Sequence, residues 1–424
     1  MIRAETMTGK GSGIKVFKNA NILDCIKEEP YVGCIIVEGN RIREVLDYQE
    51  RVFPKKAQIF DLEGKFILPG LIDAHVHIIC TDNDTGLQMK KDPVSLMTIK
   101  ALHVLKASLD QGFTCLRDCG GADAGFRIAV ENNIAPGPRI KVSGRHLSMT
   151  GGHGDGRWPA EIYDPIHSPA TFHGIVADGV DECRRACREQ LRQGVDFLKV
   201  MAGGGCLSPS DRIESAQYSL EELKAIVWEA KSCGTYVSAH CYSDLSVINA
   251  VNSGVRTIEH GNLMSQASAR VLKKAGAYLV PTLSAYHIAS ENGRERGLSE
   301  GIIQKIRMAR EISLEGLRIA FKEGCQIGSG SDILGPEQNL KKALELELKS
   351  GVMGPYNAIK SATQVNAQIL GMETEIGSLY PGKLADMIVV DGNPLEDISI
   401  LQDFETALAC IIKNGDFHKS IFSF

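Results

Sequence analysis

The 424-residue chain has no run of 18 or more apolar residues, so no segment of it reads as a membrane-spanning helix. Its opening stretch, residues 1–14, mixes Arg, Glu, Thr, Lys and Gly and lacks the apolar core of a secretory signal. No Cys-x-x-Cys pair occurs among its 12 cysteines; Cys115/Cys119 and Cys183/Cys187 stand four apart and the rest are scattered, which argues against a zinc ribbon or a disulfide scaffold. Positive charge is not in excess either. With 47 basic and 52 acidic side chains the net charge is −5, which argues against a nucleic-acid surface, where a basic stripe would be expected. These absences predict a soluble cytoplasmic protein with reduced thiols and with neither membrane nor nucleic acid among its partners.

What the chain does have is the apolar content of a large core. Hydrophobic residues make up 43% and charged ones 23%, which excludes disorder as the main state. Glycine is in surplus: 43 of 424 is about a tenth, against a usual ≈ 7%. Length alone allows two or three average domains, but α/β barrels run to about 250 residues as one unit, so the count must come from pattern. Short alternating runs at 14–17, 34–37 and 42–45, broken at Glu38-Gly39-Asn40, have the texture of antiparallel hairpins. The tail after Gly377 repeats it, with apolar runs at 387–390 and 407–412 around Asp391-Gly392-Asn393-Pro394. The two ends are expected to pair into one small β-sandwich domain, 1–66 plus 377–424.

Between them, over 67–376, the surplus glycine acquires a meaning. Gly112, Gly137, Gly194, Gly234, Gly254, Gly276 and Gly324 each precede a short apolar run, the pattern of a helix closed by a left-handed glycine and followed by a strand. With the strand expected at 71–78 after Pro69-Gly70, this predicts eight strands alternating with helices, hence a parallel (β/α)8 TIM barrel. Helices are expected over 220–232, where Ser219 and Glu222 form a capping box, and over 300–322.

Such a barrel demands that reactive residues sit at the C-terminal ends of its strands. The first strand ends Asp73-Ala74-His75-Val76-His77, and residues two apart share a face of a strand, so both imidazoles can address one metal. The fifth ends at His240, the sixth at His260 and the eighth at Asp332, which adds imidazoles and a carboxylate, ligands suited to zinc and similar ions. Lys199 lies in the apolar fourth strand, where an ammonium would be buried and repelled by a metal cation. Either it snorkels to solvent or pairs with Asp196, or it is kept neutral and becomes an anionic ligand. Tyr242 is two residues beyond His240 and shares its face. His153 is the one bulky side chain of the glycine-rich loop 150–156, a position where barrel loops bind ligand. The long connection 148–179 has the length of a lid or specificity element and carries Arg157, Trp158 and Tyr163; Arg145 and Arg157 are candidate partners for a substrate carboxylate. His103, His167, His173, His287 and His418 fall at no ligand motif, and His146 is near a strand end without an evident partner.

The run Leu68-Pro69-Gly70-Leu71-Ile72-Asp73-Ala74-His75-Val76-His77, the strand-four lysine, His240, His260 and Asp332, in this order, resemble the amidohydrolase superfamily over essentially the whole chain. Within it, Thr150-Gly151-Gly152-His153-Gly154-Asp155, the segment Val176-Ala177-Asp178-Gly179-Val180-Asp181-Glu182 and Lys199-Val200-Met201-Ala202-Gly203-Gly204-Gly205 resemble the metal-dependent prolidases and carboxypeptidases and their relative ochratoxinase. The eighth strand reads Gly-Ser-Asp where relatives usually have Gly-Thr-Asp; serine keeps the hydroxyl. The resemblance implies two divalent metal ions, expected to be Zn2+, one held by His75, His77 and Asp332 and the other by His240 and His260. It implies that Lys199 is carboxylated by CO2 to N6-carboxylysine and bridges them, as a carbamate anion that attracts both cations. Metals about 3.5–4 Å apart can share a hydroxide nucleophile, with Asp332 as general base and then acid, and Tyr242 and His153 as substrate-gripping donors.

The reaction this implies is hydrolysis of the amide bond to a C-terminal amino acid, in Xaa-Pro dipeptides or N-acyl amino acids, by a homo-oligomer. Aryl-amide hydrolysis of the ochratoxinase type is the near alternative. A deaminase or imidazolonepropionase-like cyclic-amide hydrolase is more distant, because those relatives usually work with one metal and lack the bridging lysine. A metal-free scaffold or signalling protein is disfavoured by the presence of all six ligand residues.

Overall fold

The computed structural model of the protein describes residues 13–47, 53–157, 160–161, 171–208 and 211–422. Trp158, Tyr163 and His167 of the long connection lie outside the described residues.

Both chain ends enter one mixed eight-stranded sheet. Ile14–Ile22 pairs antiparallel with Tyr31–Glu38, which turns through Gly39 (φ 60°) into Arg41–Asp47. The tail strand Met387–Val390 runs antiparallel between Phe66–Pro69 and Leu408–Lys413. Pairing thus extends to Pro69. The sheet curls on itself: Phe417 of its last strand meets Phe60 and Phe17, with ring centroids 5.0 and 5.9 Å away. These rings, with Ile35, Val37, Met387, Val389 and Ile412, form a core of their own.

The chain passes from this sheet through Gly70 into eight parallel strands. Gly70 is glycine for space, since a Cβ there would strike the Thr114 side chain. Leu71–Val76, Phe113–Asp118 and Arg139–Val142 form one parallel sheet. Leu198–Met201, Val237–Ser243, Thr257–Leu263, Tyr278–Val280 and Gln326–Ile327 form a second, extended by the two-residue pieces Leu147–Ser148 and Ile175–Val176. Backbone hydrogen bonds stitch both seams between them: Ala74 N to Ser329 O (2.9 Å) and Asp332 N to His75 O (2.8 Å) on one side, Asp196 N to Val142 O (2.8 Å) on the other. The expected strands are therefore present, in chain order.

The glycine pattern holds with one exception. Gly112, Gly194, Gly234, Gly254, Gly276 and Gly324 have φ between 66° and 94°, the left-handed region glycine enters without penalty. Gly137 does not. The preceding helix, Ala124–Glu131, is closed by Asn132, and Asn133 takes the left-handed turn at φ 56°. Gly137 instead admits a close approach, because a Cβ there would lie 2.9 Å from Leu105 Cβ. The helix Leu220–Ser232 carries the expected Ser219/Glu222 capping box, and the helix expected over 300–322 runs Glu300–Glu323. Among the described residues no helix is long and apolar enough to cross a membrane, and the twelve cysteines are free.

Candidate active site

The strand ends converge on a cleft of about 670 Å³ lined by His75, His77, His153, Lys199, His240, Tyr242, His260 and Asp332. His75 Nε2 and His77 Nε2 lie 3.6 and 3.3 Å from Asp332 Oδ1. The His75, His260 and Asp332 ligand atoms fall within 4.8 Å of one another, close enough for one ion. His240 and His260 have ring centroids 4.4 Å apart.

Each imidazole spends one ring nitrogen away from its ligand-facing neighbours. His75 Nδ1 meets Glu259 Oε2 (2.7 Å), His77 Nδ1 the Gly120 carbonyl (2.8 Å), His240 Nε2 the Gly204 carbonyl (3.1 Å) and His260 Nδ1 the Thr282 hydroxyl (2.7 Å). Such partners fix the tautomer and orient the other nitrogen for a metal. Burial pushes His240 and His260 well below the ordinary histidine range and takes His75 down to about 4. These are neutral imidazoles, the form that ligates. His77 goes the other way, because the Asp332 and Asp118 carboxylates outweigh its burial. Burial would raise Asp332, but His75, His77 and His260 around it hold the carboxyl below its usual range.

Lys199 is the decisive member. Its side chain is 1% exposed and its Nζ has no hydrogen-bond partner. It neither snorkels to solvent nor reaches Asp196, whose carboxylate is taken by Lys141 and Arg127. A bare buried ammonium among imidazoles is the costliest form of this side chain. An amine converted to a carbamate and neutralised by cations has no such penalty, so the residues present fit a metal centre.

Tyr242 stacks on His240 at 4.8 Å and accepts a hydrogen bond from the Tyr286 hydroxyl (2.8 Å). His153 stacks on the other face of the cluster, 4.3 Å from His240. Its Nδ1 lies 3.1 Å from Ser208 Oγ and 3.6 Å from Asp211 Oδ2, which leaves Nε2 for the cleft. Arg157 and Arg145 are occupied elsewhere. Arg157 grips Asp155 of its own loop through Nε (2.7 Å) and Nη2 (2.6 Å), and Arg145 holds the His173 and Gly174 carbonyls. Neither lines the cleft, where the guanidinium is that of Arg296.

Sequence reasoning also passed over Glu259, Arg117 and Tyr286. Glu259 is fully buried and takes Arg117 Nη2 (2.8 Å), the Ser238 and Thr257 hydroxyls and His75. Its signal was visible as a carboxylate inside an apolar strand, adjacent to His260. His146 is buried with an unpartnered Nδ1 and is crowded by Gly120, Gly154 and Gly174. His287 and His418 pair with Glu291 and Asp110 away from the cleft.

Comparison with known proteins gives the same picture. Residues 66–416 match the model of the amidohydrolase family. Ochratoxinase of Aspergillus niger is 33% identical over 366 residues, covering 83% of this chain and 75% of that protein. A prolidase crystallised with N-methylphosphonate-L-proline superposes with a TM-score of 0.92 at 38% identity, covering 96% of this chain and all of that one. A Xaa-Pro dipeptidase with bound methionine in its active site has a TM-score of 0.86 at 27% identity, again over 96% and 100%.

Proposed function

The chain belongs to the amidohydrolase family, and from that premise we propose that it hydrolyses the amide bond to a C-terminal amino acid, in Xaa-Pro dipeptides or N-acyl amino acids. The eight parallel strands are read as a closed (β/α)8 barrel that starts after Pro69 rather than at residue 67, with the sheet built from both chain ends as the accompanying β domain. His75, His77 and Asp332 would hold one divalent ion, His240 and His260 a second, and Lys199 as N6-carboxylysine would bridge them. Zinc suits this imidazole and carboxylate set. Bound, such ions would supply Lewis acidity and lower the pKa of the attacking water.

The rest falls to side chains. Asp332, held anionic by three imidazoles, receives the proton of the attacking water and delivers it to the departing amine. The Tyr242 hydroxyl and His153 Nε2 border the same cleft and grip the substrate carbonyl and carboxylate. Phe172, Leu207, Ile306 and Leu334 give the cleft apolar walls that exclude water from the reacting amide. The unpartnered, buried Lys199 Nζ is the observation that carries this reading. Likeness to ochratoxinase favours an aryl amide as the second candidate substrate.

Lys199→Ala and Asp332→Asn should each abolish turnover while leaving the far-ultraviolet dichroism unchanged. A dipeptide and N-acyl amino acid library with Pro, Phe, Arg or Lys at the C-terminus, run beside an aryl amide, identifies the substrate. Wild-type hydrolysis by either variant, or less than one bound ion per chain after purification in zinc, would sink the dinuclear mechanism.

A further inference from the structure

We propose that Asp211 is a positioning residue that fixes the tautomer and the direction of His153, an inference that deepens and rests on the amide-hydrolase reading above. Asp211 follows the strand Leu198–Met201, and its side chain is 4% exposed. A buried carboxylate is costly unless it is paired and hydrogen-bonded, and here the bonds converge on one ring. Oδ2 accepts from the Gly205 backbone N–H (3.1 Å) and from Gln217 Nε2 (2.9 Å), and Oδ1 accepts from the Ser208 hydroxyl. Among the described residues the one basic side chain within ion-pair distance of this carboxylate is His153, whose Nδ1 lies 3.6 Å from Oδ2. Gln217 closes the circuit, since its Oε1 takes the His153 backbone N–H at 2.9 Å. Both the backbone and the ring of a residue in the loop 150–156 are thus held from the segment that follows the Lys199 strand.

Counting hydrogens settles the tautomer. A serine hydroxyl has a single hydrogen. With that hydrogen directed at Asp211, Ser208 Oγ has only lone pairs to offer His153 Nδ1, 3.1 Å away, so Nδ1 must be the donor. Nε2 is then the nitrogen presented to the cleft, and when it donates to a substrate oxygen the Asp211 carboxylate stands behind the ring as counter-charge. A carboxylate placed this way holds an imidazole in one tautomer and one orientation. Lys305 of the helix Glu300–Glu323 anchors the assembly, its Nζ donating to the backbone carbonyls of Asp211 (2.7 Å) and Ser208 (3.2 Å).

A double-mutant cycle on the metal-loaded full chain tests this, with kcat and KM measured on the best substrate of the library above. Asp211→Asn should lower kcat/KM by on the order of a hundredfold when His153 is present, the cost of a misplaced catalytic group. In a His153→Asn background the same change should cost less than about twofold, because no ring remains to be positioned. Ser208→Ala keeps the carboxylate and removes only its link to Nδ1; it should reproduce part of the loss, again only with His153 present, and it carries the cycle if Asp211→Asn fails to fold. Equal losses in both backgrounds would make Asp211 a brace for its own segment and overturn the proposal, as would a wild-type rate in Asp211→Asn. A second readout needs no turnover: nitrogen NMR of protein with isotope-labelled histidine rings, the His153 signals being identified by their loss in His153→Asn. Nδ1 should carry hydrogen in wild type and lose that preference in Ser208→Ala and Asp211→Asn. Hydrogen on Nε2 alone in wild type, or an unchanged tautomer in both variants, overturns the assignment. Absence of amide hydrolysis with the tautomer pattern intact would sink the amide-hydrolase reading and leave the positioning role standing.

Discussion

Replacing Arg117 by Met should be among the most damaging single changes outside the cleft, because it strips the counter-charge from a carboxylate that no water reaches. Arg117 and Glu259 are both fully buried. Nη2 meets Glu259 Oε1 at 2.8 Å, Nη1 meets the Thr257 hydroxyl at 3.0 Å and Nε donates to the Ala74 carbonyl at 2.5 Å. Methionine keeps the apolar stem and removes the charge. Breaking one partner of a buried ion pair costs about 3–5 kcal/mol, because the survivor remains buried and uncompensated. The hydroxyls of Ser238 and Thr257 still solvate Glu259 Oε1 and place the effect toward the lower end of that range. Glu259→Gln should destabilise comparably, by orphaning the guanidinium.

The double variant Arg117→Met/Glu259→Gln removes both charges and should lose less than the sum of the singles, by more than about 1 kcal/mol of coupling. Urea denaturation followed by circular dichroism measures all three. Glu259 also receives His75 Nδ1, so Glu259→Gln should weaken metal retention roughly 10-fold to 100-fold, read by metal analysis after dialysis. Acid stability moves in a fixed direction. Burial opposes ionisation of Glu259, but Arg117 and His75 hold its carboxyl well below the ordinary range. That contribution is present at neutral pH and is lost as pH falls through the depressed folded value, so Arg117→Met should begin to unfold at a higher pH than wild type. Strict additivity of the two single changes, or a loss under about 1 kcal/mol for Arg117→Met, would refute the claim that this pair is coupled.

Two further outcomes follow from close packing and from a half-buried cation. A Cβ on Gly205 would fall 2.5 Å from His153 Nε2, so Gly205→Ala should displace that ring from its stack on His240; kcat/KM should fall by on the order of a hundredfold with the thermal midpoint nearly unchanged, and an unaltered rate would remove His153 from the reaction. Burial first, and then repulsion by Arg139, bring Lys413 from 10.5 down to about 8. The folded state therefore binds fewer protons than the unfolded one between about 8 and 10.5, so this lysine destabilises fully below pH 8 and its penalty fades as pH rises. Lys413→Met should gain most over wild type at or below pH 8 and lose that gain toward pH 10; a gain independent of pH would contradict the assignment.

Much of the candidate site was legible because its residues obey strand geometry. His75 and His77 stand two apart on one face, His240 and Tyr242 likewise, and each lies at the end of a strand that a glycine announces. Lys199 was legible as an anomaly, a charge in an apolar run. Arg296 was not, because nothing local marks it: it belongs to the connection between the helices Leu283–Asn292 and Glu300–Glu323 and reaches the cleft only through Leu334 and Glu337. Arg157 misled for the converse reason, since the Asp155 that engages it is only two residues away. Gly137 shows the same limit, with a sequence position that suggested a helix cap and a role set by Leu105, distant in the chain.

Alternation fails at the sixth strand, and the reason bears on function. Glu259 and His260 are neighbours and should face opposite ways, yet both address His75, one through a 2.7 Å hydrogen bond and the other with ring centroids 5.1 Å apart. His260 achieves this at φ 75°, in the left-handed region. Asp332 (φ 49°) and Thr282 (φ 51°) do the same, and for a β-branched residue such as Thr282 that backbone is a genuine outlier. Each such residue costs on the order of 1–3 kcal/mol. Glycine would relieve the strain at all three positions, but glycine has no imidazole, hydroxyl or carboxylate to offer. The three are joined: His260 Nδ1 meets Thr282 Oγ1 at 2.7 Å and lies 3.9 Å from Asp332 Oδ2. Backbone strain at these three strand ends thus coincides with side chains of the candidate site, and Ser284, which bonds the Ser331 carbonyl and Glu345, ties down the adjacent turns. Strained residues of this kind cluster at functional sites, so two of them gathered against a third, His260, mark this part of the cleft as the candidate functional centre.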